Sequence, residues 1–299
     1  MSIIPLINRQ KNTFPAEART KYFITQSIAS SIILLSLIAS ININSHFYIN
    51  AQPLILILNS ALLIKLGAAP FHFWFPEVIK GLRWNNNIII LTWQKIAPII
   101  LLSYNIKIRI FISSIVIISS LIRGLARINQ IRLRRIIAYS SINHISWMIR
   151  ALIISYSNWI LYFRIYSAIN INIVYIFKKL NIYKIRQINI LNNKNKIIKI
   201  SITLNFLSLG GLPPFLGFIP KWITINNILL NNIFILRTIL VISSLLTLYI
   251  YIRIIFSSIT INSSEFLTTL NIKLSFNHGL LNIIILTRLI RCTLIIIII

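Results

Sequence analysis

The chain has 299 residues, of which 57% are hydrophobic and 11% are charged, and its mean hydropathy is +0.83. Thirty Lys and Arg residues face three Glu residues and no Asp, which gives a formal net charge of +27. A soluble domain is about 25% charged, so this composition argues against a soluble globular protein, and the apolar content excludes intrinsic disorder. The single cysteine, Cys292, excludes a disulfide scaffold.

The positive charge does not indicate a nucleic-acid partner. Proteins that bind nucleic acids gather their cations on a solvated face. Here the cations are scattered, and many of them interrupt apolar runs, as Arg109, Arg123 and Arg150 do. Residence in a lipid bilayer accounts better for the composition.

Apolar stretches of the length of a membrane helix recur along the chain. A spanning helix needs about 20 mainly apolar residues. Nine stretches meet or approach this length, at residues 22–43, 54–75, 88–104, 108–128, 138–155, 159–177, 197–219, 232–252 and 280–299. In lipid such stretches need to be helices, because a helix satisfies its own backbone hydrogen bonds. The sequence therefore predicts an all-α, polytopic transmembrane bundle, with residues 1–299 forming a single membrane domain of about nine helices.

Two of these stretches are interrupted by glycine and proline, in the segments KLGAAPFHFWFPE and SLGGLPPFLGFIPKW. Proline removes a helix hydrogen bond, and glycine lets a helix unwind. Both residues are common in membrane helices, but a pair of such interruptions, each beside a lysine, indicates discontinuous helices around a transport site. The predicted break residues are Gly67, Pro70, Gly210, Gly211, Pro213 and Pro214.

Three lysines lie within apolar stretches: Lys65, Lys95 and Lys221. A charge at the bilayer centre costs about 2.5–3.5 kcal/mol on insertion scales, so each lysine needs water or a polar partner. Lysines in apolar surroundings can exchange protons near neutral pH, which is the chemistry of a proton relay. The alternative is a lysine that extends from a helix end to the membrane surface.

His144 is a further candidate for the proton path, in the segment AYSSINHISWM with Ser140 one turn before it. A structural histidine bonded to its neighbours is the alternative. The sequence contains no phosphate loop, nucleophile elbow or metal-ligand motif, and one cysteine cannot hold an iron–sulfur centre. We therefore expect no metal, cofactor or redox centre in this chain.

Four segments resemble the subunit 2 family of mitochondrial NADH:ubiquinone oxidoreductase (respiratory complex I): KLGAAPFHFWFPEV, LTWQKIAPIILLSYN, INQIRLRRIIAYSSINHISWM and NFLSLGGLPPFLGFIPKW. The resemblance runs from about residue 3 to about residue 256. It implies an antiporter-like subunit of the proton-pumping membrane arm, in the mitochondrial inner membrane, with other membrane-arm subunits as partners. It also implies that Lys65, Lys95 and Lys221 form a hydrated relay. NADH, FMN, iron–sulfur clusters and ubiquinone would be bound by other subunits.

The chain departs from this family first at its beginning. The family has a further helix and a half before the point at which this chain begins, with a membrane glutamate that pairs with the lysine at Lys65. We therefore expect this segment to be missing here. Two alternative functions follow: a stand-alone cation/proton antiporter, which would need its own acidic partner, and a non-functional truncated product.

A second departure concerns arginine and isoleucine. Several mitochondrial codes read ATA as Met and AGA as Ser, and the chain has 76 Ile, two Met and many Arg in apolar stretches. This pattern is what translation of ATA as Ile and AGA as Arg would produce. On this hypothesis the mature protein has Ser in place of such arginines, and the candidate positions are Arg83, Arg109, Arg123, Arg127, Arg132, Arg150, Arg164, Arg237, Arg288 and Arg291. We expect Ser at most of the deep positions Arg109, Arg123, Arg127 and Arg237.

Overall fold

The computed structural model describes residues 13–46, 52–106, 108–126, 129–190, 196–213, 215–230 and 234–260. Within these ranges the chain forms twelve α-helices and no β-strand, with one isolated bridge between Arg132 and Lys184. The helices are α1 (Thr13–His46), α2 (Gln52–Leu66), α3 (Trp74–Gly81), α4 (Trp84–Leu91), α5 (Trp93–Tyr104), α6 (Arg109–Ala126), α7 (Leu133–Ile154), α8 (Tyr156–Lys179), α9 (Ile185–Ile190), α10 (Lys196–Gly210), α11 (Phe218–Leu230) and α12 (Phe234–Thr260). The predicted all-α class is confirmed.

In the described part of the chain, four helical segments are long and apolar enough to cross a bilayer: Ala16–Ile41, Trp84–Tyr104, Tyr156–Lys179 and Phe234–Phe256. Three shorter apolar helices are Gln52–Leu66, Arg109–Ile122 and Ile200–Gly210. The predicted total of about nine spanning helices stays a prediction. The stretch at 280–299 lies outside the described residues.

The most deeply buried helix is α7, in which every side chain from Ser140 to Leu152 is buried. It packs against α3, α5, α6, α8 and α11. A helix that is buried on all sides belongs to the centre of a bundle. Its Ser, Asn and His side chains therefore meet other helices and not lipid, which is why a helix with so many polar residues can occupy this position.

The first predicted interruption is confirmed as a break between α2 and α3. The α2 helix ends at Leu66, and Gly67 follows with a φ of +69°, which a side chain would strain. The amide of Ala68 donates to the carbonyl of Leu63 at 3.1 Å, and the Trp74 indole donates to the carbonyl of Ile64 at 3.2 Å. These bonds satisfy carbonyls that the end of a helix leaves unpaired.

The second predicted interruption is confirmed as a break between α10 and α11. The α10 helix ends at Gly210, and Gly211 has a φ of +75°. The amides of Gly211 and Leu212 both donate to the carbonyl of Leu207, at 3.1 and 3.4 Å. A left-handed glycine after the last helical residue is a common way to end a helix. Pro213 is exposed, and Pro214 lies outside the described residues.

A third interruption was not indicated by the sequence. The apolar stretch at 88–104 is divided between α4 and α5, with Thr92 between them at φ −117° and ψ −71°. The Thr92 hydroxyl donates to the carbonyl of Ile88 at 2.8 Å. Pro98 within α5 cannot donate a backbone hydrogen bond to the preceding turn. The irregular turn lies three residues before Lys95 and helps to set its direction.

Charged side chains link the first helices to the rest of the bundle. Lys21 on α1 forms an ion pair with Glu17 at 2.8 Å and a second ion pair with Glu77 on α3. Arg134 at the start of α7 donates to the carbonyl of Lys80 at 2.8 Å. Of the three glutamates in the chain, the two in the described residues are thus both bonded to Lys21.

Candidate functional site

Lys95 is buried at the start of α5, with 2% of its surface exposed. Its Nζ donates a hydrogen bond of 2.9 Å to the Tyr166 hydroxyl on α8. The same atom lies 4.7 Å from the centre of the Tyr166 ring and 5.7 Å from that of Phe75. Phe75 belongs to α3, which follows the first helix break, so Lys95 joins three helices at one point. Cation–π contacts of this kind stabilise a desolvated ammonium group.

His144 lies in the middle of α7, and 5% of its surface is exposed. Its Nδ1 shares a hydrogen bond of 3.0 Å with the Tyr162 hydroxyl. Its ring centre is 5.1 Å from that of Tyr166. Tyr166 on α8 therefore contacts both residues: its hydroxyl accepts a hydrogen bond from Lys95, and its ring lies beside that of His144. The structure agrees with both interpretations of His144, because the residue is well bonded and also shares Tyr166 with a buried lysine.

Lys221 is buried in the first turn of α11, with 5% of its surface exposed. Its Nζ donates a hydrogen bond of 2.8 Å to the carbonyl of Gly210, the last residue of α10. Cations are favoured at this end of a helix, where the carbonyl groups are unpaired. Its Nζ also lies 5.9 Å from the ring centre of Trp147. Trp147 is three residues after His144 on α7, so Lys221 lies beside this central helix, whereas Lys95 contacts Tyr166, whose ring packs against His144.

Lys65 occupies a different environment from the other two lysines. It lies in the last turn of α2 and is partly buried. No ion pair or hydrogen bond of its side chain falls within the described residues, and neither Glu17 nor Glu77 is paired with it there. Lys65 thus remains a predicted relay residue.

The arginines of the apolar stretches differ in their surroundings. Arg150 on α7 is 3% exposed, and its Nε has no hydrogen-bond partner among the described residues. Arg109 and Arg164 are exposed, and the Arg237 guanidinium carbon lies 5.4 Å from the Phe234 ring centre. Four others are exposed or not described: Arg83 and Arg132 are exposed, while Arg127 and the Arg123 side chain lie outside the described residues. Only at Arg150, within that part of the chain, is a guanidinium enclosed in the centre of the bundle.

Tyr162 and Tyr166 belong to the site and were not identified from the sequence. Both are almost completely buried and lie one turn apart on α8. Their four-residue spacing places them on one face of the helix. Two tyrosines four residues apart in an apolar helix could have indicated them from the sequence. A buried tyrosine needs a hydrogen-bond partner for its hydroxyl.

Replacing Gly211 with alanine should disturb Lys221 specifically. A β-carbon at this position would lie 2.8 Å from the Cδ and Nζ atoms of Lys221, and the left-handed backbone adds roughly 1–2 kcal/mol of strain. We expect Gly211→Ala to lower the thermal midpoint of the protein, because Nζ is moved from the Gly210 carbonyl. Gly210→Ala is the matched control, since its β-carbon would meet Leu248 and Tyr251 at an ordinary 3.6 Å. Equal behaviour of the two variants would contradict this prediction.

The fold and the buried lysines define an antiporter-like membrane subunit, and comparison with known proteins agrees. Residues 1–247 match the family model described as NADH:quinone oxidoreductase/Mrp antiporter, TM. The structure resembles a chain of respiratory complex I from Thermus thermophilus, with a TM-score of 0.76 and 22% identity over 86% of this chain and 63% of that one. It also resembles a chain of an archaeal membrane-bound sulfane sulfur reductase, with a TM-score of 0.81 and 18% identity over 98% of this chain and 66% of that one. At these identities the two structures support the fold.

The sequence comparison is more specific. The chain is 45% identical to NADH-ubiquinone oxidoreductase chain 2 of Anopheles gambiae over 287 residues, which cover 95% of this chain and 83% of the relative. The chain belongs to the family of NADH-ubiquinone oxidoreductase chain 2, the antiporter-like, proton-translocating subunit of the membrane arm of respiratory complex I. The resemblance seen in the sequence segments is thereby confirmed.

Proposed function

We propose that this chain conducts protons through the membrane arm by way of Lys95, His144 and Lys221, in the mitochondrial inner membrane. The observation that carries the proposal is the burial of two lysines next to residues that contact the centre of α7. Lys95 donates to Tyr166, whose ring lies beside His144, and Lys221 lies 5.9 Å from the Trp147 ring centre. Three proton-exchanging side chains in one apolar core favour transport over packing, since each costs free energy to bury.

The partners of the two lysines support proton exchange. Lys95 donates to a neutral phenol and Lys221 to a backbone carbonyl. Neither partner carries a full negative charge that would hold the lysine in its protonated form. An ammonium group bonded to a carboxylate would keep its proton more strongly. Lys95 and Lys221 are therefore suited to release and regain a proton in each cycle.

Electron transfer belongs to other subunits in this proposal. No group of three or more His, Cys, Asp or Glu residues that could hold a metal ion is found in the described part of the chain. NADH, FMN, iron–sulfur clusters and ubiquinone would act elsewhere in the complex. Neighbouring membrane-arm subunits would supply an acidic partner for Lys65.

The alternative of a stand-alone antiporter finds less support. Such a protein needs an acidic group beside its membrane lysine. Glu17 and Glu77, the glutamates within the described ranges, are both bonded to Lys21 near the first helices. The family membership also favours a subunit of a larger complex.

A Lys221→Met variant tests the proposal in the assembled complex. Methionine keeps the bulk of the side chain but cannot carry a proton. We expect proton pumping to fall at least about tenfold, because the variant removes a group that exchanges protons on the proposed path. Lys178→Met, which removes an exposed lysine from the last turn of α8, is the matched control. Unchanged pumping in Lys221→Met vesicles would argue against the proposed path.

A further inference from the structure

Two buried asparagines with unpaired amide groups lie on α4 and α8, which pack against each other. Asn87 on α4 is 0% exposed, and neither its Nδ2 nor its Oδ1 has a hydrogen-bond partner among the described residues. Asn170 on α8 is 1% exposed, and its Oδ1 is also unpaired there, while its Nδ2 donates to the Tyr166 carbonyl at 2.8 Å. Burying an amide without a partner costs free energy, and most buried polar groups are bonded to protein or to ordered water.

Two contacts determine how α4 and α5 lie along α8. Near the start of α4, the Trp84 ring centre is 5.5 Å from that of Phe177. Near the start of α5, the Lys95 Nζ is 2.9 Å from the Tyr166 hydroxyl. Residue numbers rise between these contacts on α4 and α5 and fall by the same amount on α8. The two segments therefore run antiparallel, with matching lengths of chain between the contacts.

Both asparagines lie between these two contacts, on the helix faces that make them. Asn87 follows Trp84 by three residues, and this spacing keeps both side chains on one face of α4. Asn170 follows Tyr166 by four residues and precedes Phe177 by seven, so all three share one face of α8.

The spacing along the helices suits one bridging water. With a rise of about 1.5 Å per residue, Asn87 lies about 4.5 Å along its helix from Trp84. Asn170 lies about 10.5 Å along α8 from Phe177, the residue that Trp84 contacts. The two amides are therefore roughly 6 Å apart along the helices. A water bonded to both amides can span this distance, because each of its hydrogen bonds is about 2.8–3.0 Å long.

We propose that Asn87 and Asn170 bind water between α4 and α8 and thereby connect Lys95 with the end of the bundle where α4 begins. This inference rests on the proposed function of Lys95. Asn87 lies one turn from that end, where Arg83 and Asn85 are exposed. Asn170 lies one turn from the tyrosine that accepts a hydrogen bond from Lys95. An asparagine amide both donates and accepts hydrogen bonds and carries no charge, so it can hold a water without taking its proton.

The asparagines are positioning residues, and they exchange no proton themselves. When neutral Lys95 takes up a proton, the bound water accepts one proton from the side of the helix ends and releases another towards Lys95. The water is neutral before and after this step, and Lys95 becomes an ammonium group. In a purely structural role, the two amides would only lower stability and would contribute nothing to pumping.

The variants Asn87→Val and Asn87→Thr test the proposal in the complete complex in liposomes, with NADH as the reductant and a ubiquinone analogue as the acceptor. Valine and threonine have similar shapes, but only threonine has a hydroxyl that can bond to water. We expect Asn87→Val to pump roughly three- to tenfold more slowly, the range that corresponds to one lost hydrogen bond, and Asn87→Thr to keep most of the pumping. The thermal midpoint of Asn87→Val should not fall, because an unpaired amide is removed from apolar surroundings. Asn85→Val, which removes an exposed asparagine from α4, is the matched control and should pump normally.

Normal pumping by Asn87→Val would overturn this inference, and so would an equal loss of pumping in Asn87→Thr. If Asn87→Val did not assemble, a high-resolution cryo-EM map of the unsubstituted complex would decide. Density for a water within about 3.2 Å of the Asn87 amide would support the site, and a map of that quality without it would overturn the site. Normal pumping by Lys95→Ala would overturn the proposed function as well, whereas defective Lys95→Ala beside normal Asn87→Val overturns only the water site.

Discussion

A Lys95→Ala variant is expected to assemble into the complex and to lose most of its proton pumping. The substitution removes the buried group that donates to Tyr166. Truncating a large buried side chain costs about 2–5 kcal/mol, but removing a buried charge returns about 2.5–3.5 kcal/mol. Because these terms nearly cancel, assembly should survive. Pumping should fall by at least about tenfold, as measured with a pH-sensitive dye in liposomes during NADH oxidation.

The Lys95→Arg variant tests whether Lys95 acts by exchanging a proton or only by carrying a positive charge. Arginine keeps a positive charge near Tyr166 and Phe75 and stacks well on aromatic rings. Its guanidinium does not lose its proton in proteins. We therefore expect Lys95→Arg to assemble and to pump as poorly as Lys95→Ala. Pumping restored by arginine would show that Lys95 acts through its charge, and normal pumping by the alanine variant would exclude it from the path.

Peptide mass spectrometry of the mature subunit should find Ser at position 150. An arginine at this place is 3% exposed in the most buried helix, and its Nε has no partner in the described residues. It would cost about 2.5–3.5 kcal/mol on insertion scales, which is a large part of the roughly 5–15 kcal/mol that stabilises a typical domain. Serine would bond to its own helix backbone, as Ser140, Ser141 and Ser146 do in the same helix.

Arg134 provides the internal control for that measurement. It is at the start of the same helix, and it donates to the Lys80 carbonyl and stacks 4.4 Å from the Tyr183 ring centre. Its Nε also lacks a partner among the described residues, but the bond to Lys80 and the Tyr183 ring hold its guanidinium, so trypsin should cleave after residue 134 and the peptide should contain Arg there. Cleavage after residue 150, with an arginine mass, would show that the sequence is translated as it stands.

The broken helices and the membrane lysines could be predicted because their signals are local. Gly67 and Gly211 both have a left-handed backbone that glycine adopts easily, and each is close in sequence to a proline. Lys95 and Lys221 stand out as charges within apolar runs. The cost of a left-handed turn and the cost of burying a charge both depend on a few neighbouring residues. The sequence alone therefore reveals both.

The partners of these residues could not be predicted in the same way. Tyr166 is 71 positions from Lys95, and an aromatic residue in an apolar helix is usually read as packing. The turn at Thr92 was missed because neither glycine nor proline occurs there, and the irregular backbone depends on the packing of α4 and α5 against their neighbours. The burial of Arg150 likewise depends on which face of α7 meets other helices. These features come from tertiary packing, which periodicity does not show.

The two helix breaks differ in the chemical nature of the bond that closes them. The first is closed by the Trp74 indole, a donor that keeps its proton at all physiological pH values. The second is closed by the Lys221 ammonium itself, on the carbonyl of Gly210. A charged donor bonds about twice as strongly as a neutral one. If Lys221 releases its proton in each cycle, as proposed above, the joint between α10 and α11 would loosen at that step. The joint between α2 and α3 would keep its bond throughout, so the proposed path would tighten and relax one joint of the bundle and leave the other unchanged.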